Sequence, residues 1–309
     1  MRSSMLVPAA VGLTLLAAPA VSTPAHATFP GSNGRLVFER ESPAGDHTQT
    51  DVYTIRPGGS ALLRLTSTPN RNEFGPAWNA AGNRIALWRT QAPFGPGSIW
   101  VMGARGHHQR RLTQGFDARD PAWNPAGTRL VFTRVSGADS NLWTMRASDG
   151  RGLHRLTSGA ALDFEPAWSP DGRRVAFTRG FAEGDPGNIY VLNLHSGAVR
   201  RLTHSPAYDH QVGWAPGGRR LVFERDFDSS SAIFTVRPDG SHLTRLTHGP
   251  HFDTGPAFSP DRRLIAFGSD RGPATLDDLW LINADGTGLR LVRHLRFSEG
   301  FPDWQPVAG

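Results

Sequence analysis

A unit of about 45 residues recurs six times along this chain, and this repeat limits the folds that the sequence can adopt. One marker of the unit is the phrase EPAWSPDG at Glu165–Gly172, and close copies of it stand at Gly75–Gly82, Asp120–Gly127 and Gly255–Arg262. Its aromatic residue returns at spacings of 45, 45, 46, 44 and 46 residues, at Trp78, Trp123, Trp168, Trp214, Phe258 and Trp304. A regular period of roughly this length is typical of solenoids, propellers and other repeat folds.

Each unit contains four short runs rich in Val, Ile, Phe, Trp and Thr, separated by Gly, Pro, Asp and Asn. In the first unit two of these runs are RLVFER at Arg35–Arg40 and DVYTIR at Asp51–Arg56. These are strand and turn signals. No segment keeps a helical apolar period, so we expect almost no helix. The pattern predicts an all-β, six-bladed β-propeller of four-stranded blades. The alternative, a β-solenoid, typically has a shorter repeat.

The two ends of the repeat predict how the ring closes. The last copy of the phrase, FPDWQP at Phe301–Pro306, has no second strand after it, and the run at Arg35–Arg40 has no full phrase before it. We therefore expect the C-terminal strand to pair with the N-terminal strands and remove the free sheet edges. Within each phrase we expect the proline to begin the innermost strand, where it needs no ladder donor.

The first 27 residues have the features of a secretory signal peptide. Arg2 precedes an apolar, uncharged stretch at Leu6–Val21, and Ala25–Ala27 fits a small-residue cleavage pattern. We predict a cleaved signal peptide at 1–27 and the propeller at 28–309, with the protein secreted, periplasmic or at the cell surface. The apolar stretch is short for a membrane span, and we expect no transmembrane segment in the mature chain.

Composition excludes several kinds of function. The chain has no cysteine, so disulfides, Cys-ligated metal sites and Cys nucleophiles are excluded. The formal net charge is +6, and all the basic residues are arginines. Because many of these arginines recur at repeat positions, they are spread around the ring rather than gathered in one basic face. We therefore expect no nucleic-acid partner.

The order RLT, an acid, PAWSPDG, RVAF, IY and ADG resembles the WD40-like (PD40) repeat of the TolB propeller family. The resemblance covers essentially the whole chain after residue 27 and implies an exported six-bladed propeller that acts as a protein-binding scaffold in the cell envelope. TolB also carries an α/β domain before its propeller. Here the first strand is expected near Phe29, so we expect the propeller alone.

One face of the ring is expected to carry the function. The turns that join the first to the second strand and the third to the fourth strand of each unit are short and alike. The loops between the second and third strands vary, and they share a face with the connections into each inner strand. Binding residues concentrate on variable loops carried by a rigid scaffold.

A carboxylate recurs just before each inner strand, with spacings of 44, 46, 46, 44 and 46 residues. The six acids are Glu73, Asp117, Asp163, Asp209, Asp253 and Glu299. We predict that they ring the mouth of the central channel. They have two interpretations that can coexist: structural acceptors within their own loops, or a binding site for a cation such as Ca²⁺ or for a basic group of a partner.

Histidines cluster near two of these acids. His204, His210, His248 and His251 flank Asp209 and Asp253. His210, His251, Asp209 and Asp253 are therefore candidate metal ligands, because imidazole and carboxylate together suit zinc. The alternative is that these histidines are simply exposed and solvated.

The sequence thus favours an exported, monomeric binding scaffold for a protein or peptide of the cell envelope. We expect no catalytic residues and no certain cofactor, with a divalent cation such as calcium as the one possible ligand. Two alternatives stay open: a metal-dependent hydrolase or lyase with its active site at the channel mouth, and a purely structural envelope protein. Fold alone does not decide between them.

Overall fold

The computed structural model describes residues 28–44, 47–90, 95–180, 186–272, 276–294 and 297–308. The predicted signal peptide, 1–27, lies outside the described residues, as do parts of several variable loops. The described chain forms 24 strands and contains no helix. These strands make six antiparallel sheets of four strands each, as predicted.

The strands group into six blades. Blade 1 contains β1 (Ser32–Ala44), β2 (His47–Ile55), β3 (Leu63–Arg64) and β24 (Glu299–Val307). Blade 2 contains β4 (Glu73–Trp78), β5 (Arg84–Thr90), β6 (Gly97–Gly103) and β7 (Arg110–Arg111). Blade 3 contains β8 (Asp117–Trp123), β9 (Arg129–Ser136), β10 (Asp139–Arg146) and β11 (His154–Arg155). Blade 4 contains β12 (Leu162–Trp168), β13 (Arg174–Gly180), β14 (Asn188–Asn193) and β15 (Val199–Arg201). Blade 5 contains β16 (Tyr208–Trp214), β17 (Leu221–Phe227), β18 (Ser230–Val236) and β19 (Thr244–Arg245). Blade 6 contains β20 (Asp253–Phe258), β21 (Leu264–Ser269), β22 (Asp278–Asn283) and β23 (Arg290–Arg293).

The ring closes through the C-terminal strand, as the sequence predicts. β24 pairs antiparallel with β1 and places Trp304 opposite Leu36. It therefore serves as the inner strand of blade 1, next to β20 of blade 6 on one side and β4 of blade 2 on the other. Among the described strands each inner strand packs against the inner strands of both neighbouring blades.

The core consists of apolar layers between blades, and the repeated tryptophan lies at its centre. Trp78, Trp123, Trp214 and Trp304 are all at most 1% exposed. Several indole N–H groups also donate a hydrogen bond to a backbone carbonyl of the preceding blade. Trp123 Nε1 donates to the Ala77 carbonyl at 3.0 Å, and Trp304 Nε1 donates to the Ala257 carbonyl at 3.2 Å. The phrase recurs because each copy both fills an interblade wedge and contributes to a link between blades.

The proline does not begin the inner strand, and that expectation is wrong. In blade 4, β12 begins at Leu162, four residues before Pro166. A β-bulge interrupts its pairing with β13 between Phe164 and Ala167, and Glu165 at the bulge has φ of 54°. Equivalent residues with positive φ occur in every inner strand, at Gly75, Asp120, Gln211, Gly255 and Phe301. A bulge leaves one residue out of the ladder, so the proline can follow without a lost hydrogen bond.

Candidate functional site

Five of the six repeated carboxylates form buried ion pairs with arginines of their own blades. Asp163 lies opposite Arg179 in the β12–β13 register and accepts its Nε and Nη2 at 2.6 and 2.8 Å. Asp209 and Arg225 repeat this arrangement in blade 5, at 2.5 and 2.8 Å. The other three pairs are Glu73–Arg89, Asp253–Arg271 and Glu299–Arg40.

The sixth acid, Asp117, occupies a different position. It stands six residues before Trp123, whereas Asp163 stands five before Trp168. Ala118 therefore takes the place opposite Arg134 that corresponds to the Asp163–Arg179 pair. A shift of one residue turns a side chain to the other face of its strand. Asp117 instead accepts hydrogen bonds from Gly97 N at 2.7 Å and from Arg119 Nη2 at 2.7 Å.

These contacts neutralise the repeated acids within their own sheets. Burial raises the pKa of Glu73 to about 7, although Arg89 opposes the shift, and burial raises the pKa of Glu299 to about 9 against the influence of Arg40. Buried carboxylates that already have arginine partners contribute little free negative charge to a ligand. A binding role for the six acids stays a prediction, and their geometry supports a structural role.

A cavity of about 380 Å³ opens where blades 3, 4 and 5 meet. It lies on the face that carries the loops between second and third strands and the connections into the inner strands. Its apolar lining includes Val135, Leu162, Phe164 and Tyr208. Carboxylates from all three blades also line it: Asp139, Glu165 and Asp226. Apolar walls with a few convergent polar groups are typical of ligand-binding cavities.

Crevices on the opposite face are larger but repeat from blade to blade. One of about 630 Å³ is lined by Arg84, Gly103 and His108 among others, and another of about 670 Å³ by Arg173, Asn193 and His195. Each crevice lies where the second strand of its blade begins and the third strand ends, beside the short turns at that end of the blade. We interpret them as the general gap between neighbouring blades, since the turns that border them are alike.

His210 lies at the edge of the 380 Å³ cavity beside three carboxylates. Its Nε2 is 3.5 Å from Glu224 Oε1 and 3.3 Å from Asp226 Oδ2, and its Nδ1 is 3.9 Å from Glu165 Oε1. The ligand atoms of His210, Glu224 and Asp226 all lie within 4.8 Å of one another. Tyr208 stacks on the imidazole, with ring centroids 4.4 Å apart, and so fixes the plane of the ring.

The β16–β17 register explains why these side chains meet. His210 pairs with Glu224 and Tyr208 with Asp226, whereas Asp209 pairs with Arg225. Successive side chains of a strand point to opposite faces. His210, Glu224 and Asp226 therefore share one face of blade 5, and the Asp209–Arg225 pair occupies the other.

The predicted metal ligands are thus distributed over separate places. His210 lies with Glu224 and Asp226 rather than with Asp209, while Asp253 is held by Arg271. His251 is nearest to another carboxylate, with Nδ1 3.5 Å from Asp270 Oδ1. The residues that sequence reasoning missed are Glu165, Glu224 and Asp226.

The electrostatics of this cluster are those of an imidazole among acids. Burial lowers the pKa of His210, but Glu224, Asp226 and Glu165 together raise it well above its usual value. Burial raises the pKa of Glu224, against the opposing effect of His210. Nearby, burial and then Glu165 raise the pKa of Asp120 to about 8. Three carboxylates thus lie around His210, and a fourth, Asp120, is close enough to Glu165 to be affected by its charge.

Comparison with known proteins agrees with this architecture. The family described as the TolB beta propeller domain (PD40) matches residues 115–308. The chain belongs to this family. Tol-Pal system protein TolB 1 of Novosphingobium aromaticivorans is 33% identical over 70 residues, which cover 23% of this chain and 15% of that relative. The chain therefore matches only a small part of the relative's length.

Solved structures extend the likeness over most of the ring. TolB from Acinetobacter baumannii superposes with a TM-score of 0.75 at 20% identity, over 90% of this chain and 68% of that one. Hydrazine synthase of Kuenenia stuttgartiensis superposes with a TM-score of 0.72 at 14% identity, over 90% of this chain and 48% of that one. At these identities the likeness shows the fold, which is shared by proteins of different function. No helix in the described part of the chain has the length and apolar character needed to cross a membrane.

Proposed function

We propose that this TolB-family propeller is an exported binding scaffold for a protein or peptide of the cell envelope. The observation that carries the proposal is the 380 Å³ cavity at the junction of blades 3, 4 and 5. It combines aromatic and aliphatic walls with carboxylates in a chain whose net charge is +6. Membership of the TolB beta propeller domain family supports a role at the envelope.

The chemistry of the cavity favours a segment with both an apolar and a cationic side chain. Leu162 and Phe164 provide the apolar surface, while Asp139 and Asp226 extend to the solvent-exposed edge. An apolar anchor in a pocket with charged groups at its rim is the usual arrangement at protein interfaces. Complementary charge at the rim also speeds association.

The test is affinity capture from an envelope extract with three baits: the wild-type protein, Asp139→Arg and Asp149→Arg. Asp139 lies at the cavity, and Asp149 lies in the short turn at the other end of the same blade and provides the matched control. A partner identified by mass spectrometry should be retained by the wild type and by Asp149→Arg and lost by Asp139→Arg. Capture of no partner, or equal loss by both variants, would contradict the proposal.

The metal-dependent hydrolase or lyase is the second candidate function. One observation favours it, namely that His210, Glu224 and Asp226 converge beside a cavity that can admit a small molecule. This candidate requires a bound metal. It is abandoned if the protein does not bind one.

A further inference from the structure

We propose that His210, Glu224 and Asp226 form a binding site for one divalent transition-metal ion, Zn²⁺ or Mn²⁺, beside the cavity at the junction of blades 3, 4 and 5. This site differs from the repeated acidic positions, and it does not depend on the scaffold function proposed above. Three steps support it: the ligand spacing, the local charge and the choice of donor atoms.

The spacing matches that around a small metal ion. Zinc lies about 2.0–2.2 Å from imidazole nitrogen and carboxylate oxygen. Tetrahedral angles then separate neighbouring ligand atoms by about 3.3–3.5 Å. The observed separations from His210 Nε2 are 3.5 Å to Glu224 and 3.3 Å to Asp226. Nε2 is buried between these two carboxylates without a well-aligned hydrogen bond to either, and in the neutral imidazole its lone pair can bind a metal ion held by both acids.

The local charge favours a cation. Glu165, Glu224 and Asp226 surround a single imidazole, and Glu165 and Glu224 are almost fully buried. Arg119 also lines the cavity, but its guanidinium already donates to both carboxylate oxygens of Asp117. Buried charges in proteins are paired or coordinate metals. A divalent ion would balance the excess of negative charge.

The donor set selects the type of metal. An imidazole with two carboxylates suits zinc, manganese and similar ions, whereas Ca²⁺ takes six to eight oxygen ligands. Glu165 lies on the Nδ1 side of the His210 ring, where a metal-binding histidine commonly has a carboxylate partner. Asp226 is 41% exposed, so ion and water can reach the site from the cavity.

The histidine of this cluster is peculiar to blade 5. The positions equivalent to His210 are Gly300, Phe74 and Phe164 in blades 1, 2 and 4, and those equivalent to Glu224 are Glu39, Trp88 and Thr178. Glu39 and Glu224 each accept a backbone N–H from a neighbouring blade, from Gly75 and Gly255 respectively, so this acid also has a structural role. The repeat does not require a histidine, and His210 is the ligand that departs from it.

The experiment is isothermal titration calorimetry on purified protein prepared without a histidine tag and treated with EDTA, using Zn²⁺, Mn²⁺ and Ca²⁺ separately. We expect one Zn²⁺ or Mn²⁺ per chain and weaker or no binding of Ca²⁺. Co²⁺ serves as a spectroscopic probe, since ligation by His210 and carboxylates in a tetrahedral site gives a strong visible absorption.

Three variants locate the site. Asp226→Asn should weaken affinity by at least about tenfold, and it keeps the shape of a side chain that is partly exposed. His210→Phe should abolish binding, and phenylalanine already occupies the equivalent place in blades 2 and 4. His251→Gln removes another carboxylate-paired histidine of this face and should leave binding unchanged. Failure of the wild type to bind Zn²⁺ or Mn²⁺, or binding unaffected by His210→Phe and Asp226→Asn, would overturn the proposal.

Discussion

At the scale of single residues, the repeated carboxylates contribute mainly through their arginine partners. Asp163 is fully buried and accepts hydrogen bonds from Nε and Nη2 of Arg179. Removing one partner of a buried pair leaves an uncompensated charge, which costs about 3–5 kcal/mol. We expect Asp163→Ala to lower the free energy of unfolding by about 3 kcal/mol, as measured by denaturant titration.

Asp117 provides the comparison, because its ion pair with Arg119 is partly open to solvent. Asp117→Ala should cost about 1 kcal/mol, the range of a surface pair together with one hydrogen bond. Equal losses for Asp117→Ala and Asp163→Ala would show that the one-residue offset has no energetic consequence.

At the scale of strands, the short outer strand of five blades is followed by a threonine, the last residue of the RLT motif, that helps to hold it. β11 forms only two ladder pairs with β10, and Thr157 Oγ1 accepts a hydrogen bond from Leu142 N at 3.0 Å. Threonines of other blades accept the corresponding bond, at Thr66, Thr113, Thr203 and Thr247.

Thr157→Val preserves shape but leaves the buried Leu142 N–H without its acceptor, which costs about 1–3 kcal/mol. We expect a loss of about 2 kcal/mol in the free energy of unfolding, with faster amide exchange in β11. Thr128→Val, in an exposed turn of the same blade, is the control and should change stability little. An unaltered melt for Thr157→Val would mean that packing alone holds the outer strand.

The strands and blades could be predicted from the sequence, but the side chains that meet across a hairpin could not. Counting back from the Trp214–Leu221 pair without a bulge would place His210 opposite Arg225. The bulge at Gln211 shifts the register by one residue and places His210 opposite Glu224. Because positive φ at the bulge falls on Gly in only two of six blades, the sequence carried no uniform signal for it.

At the scale of the whole molecule, the ring depends on β24. This strand supplies the inner strand of blade 1, and its Asp303 carboxylate accepts the backbone N–H of Trp78 in blade 2 at 2.6 Å. Truncation after residue 300 removes most of β24, and with it most of the pairing with β1 and the hydrogen bond between Asp303 and Trp78. We expect a large fall in melting temperature with loss of cooperativity, measured by circular dichroism. A truncated chain that melts like the full chain would contradict closure through this strand.

The Asp303 contact between blades 1 and 2 should also make the stability of the ring depend on pH. Burial raises the pKa of Asp303 to about 8, above the usual value near 4 of an unfolded aspartate. The folded state therefore binds this proton more tightly than the unfolded chain. Its contribution to stability is full below about pH 4 and is lost as pH rises to about 8.

Asp303→Asn removes that titration while keeping an oxygen that can accept the Trp78 N–H. The difference in free energy of unfolding, variant minus wild type, should therefore rise between pH 5 and pH 9 by on the order of 4 kcal/mol. Asp239→Asn is the control, since this exposed carboxylate has a lowered pKa through its hydrogen bonds to Ser241 and is ionised throughout that range. Denaturant titrations at each pH give the comparison, and parallel curves for Asp303→Asn and wild type would mean that Asp303 stays ionised in the closed ring.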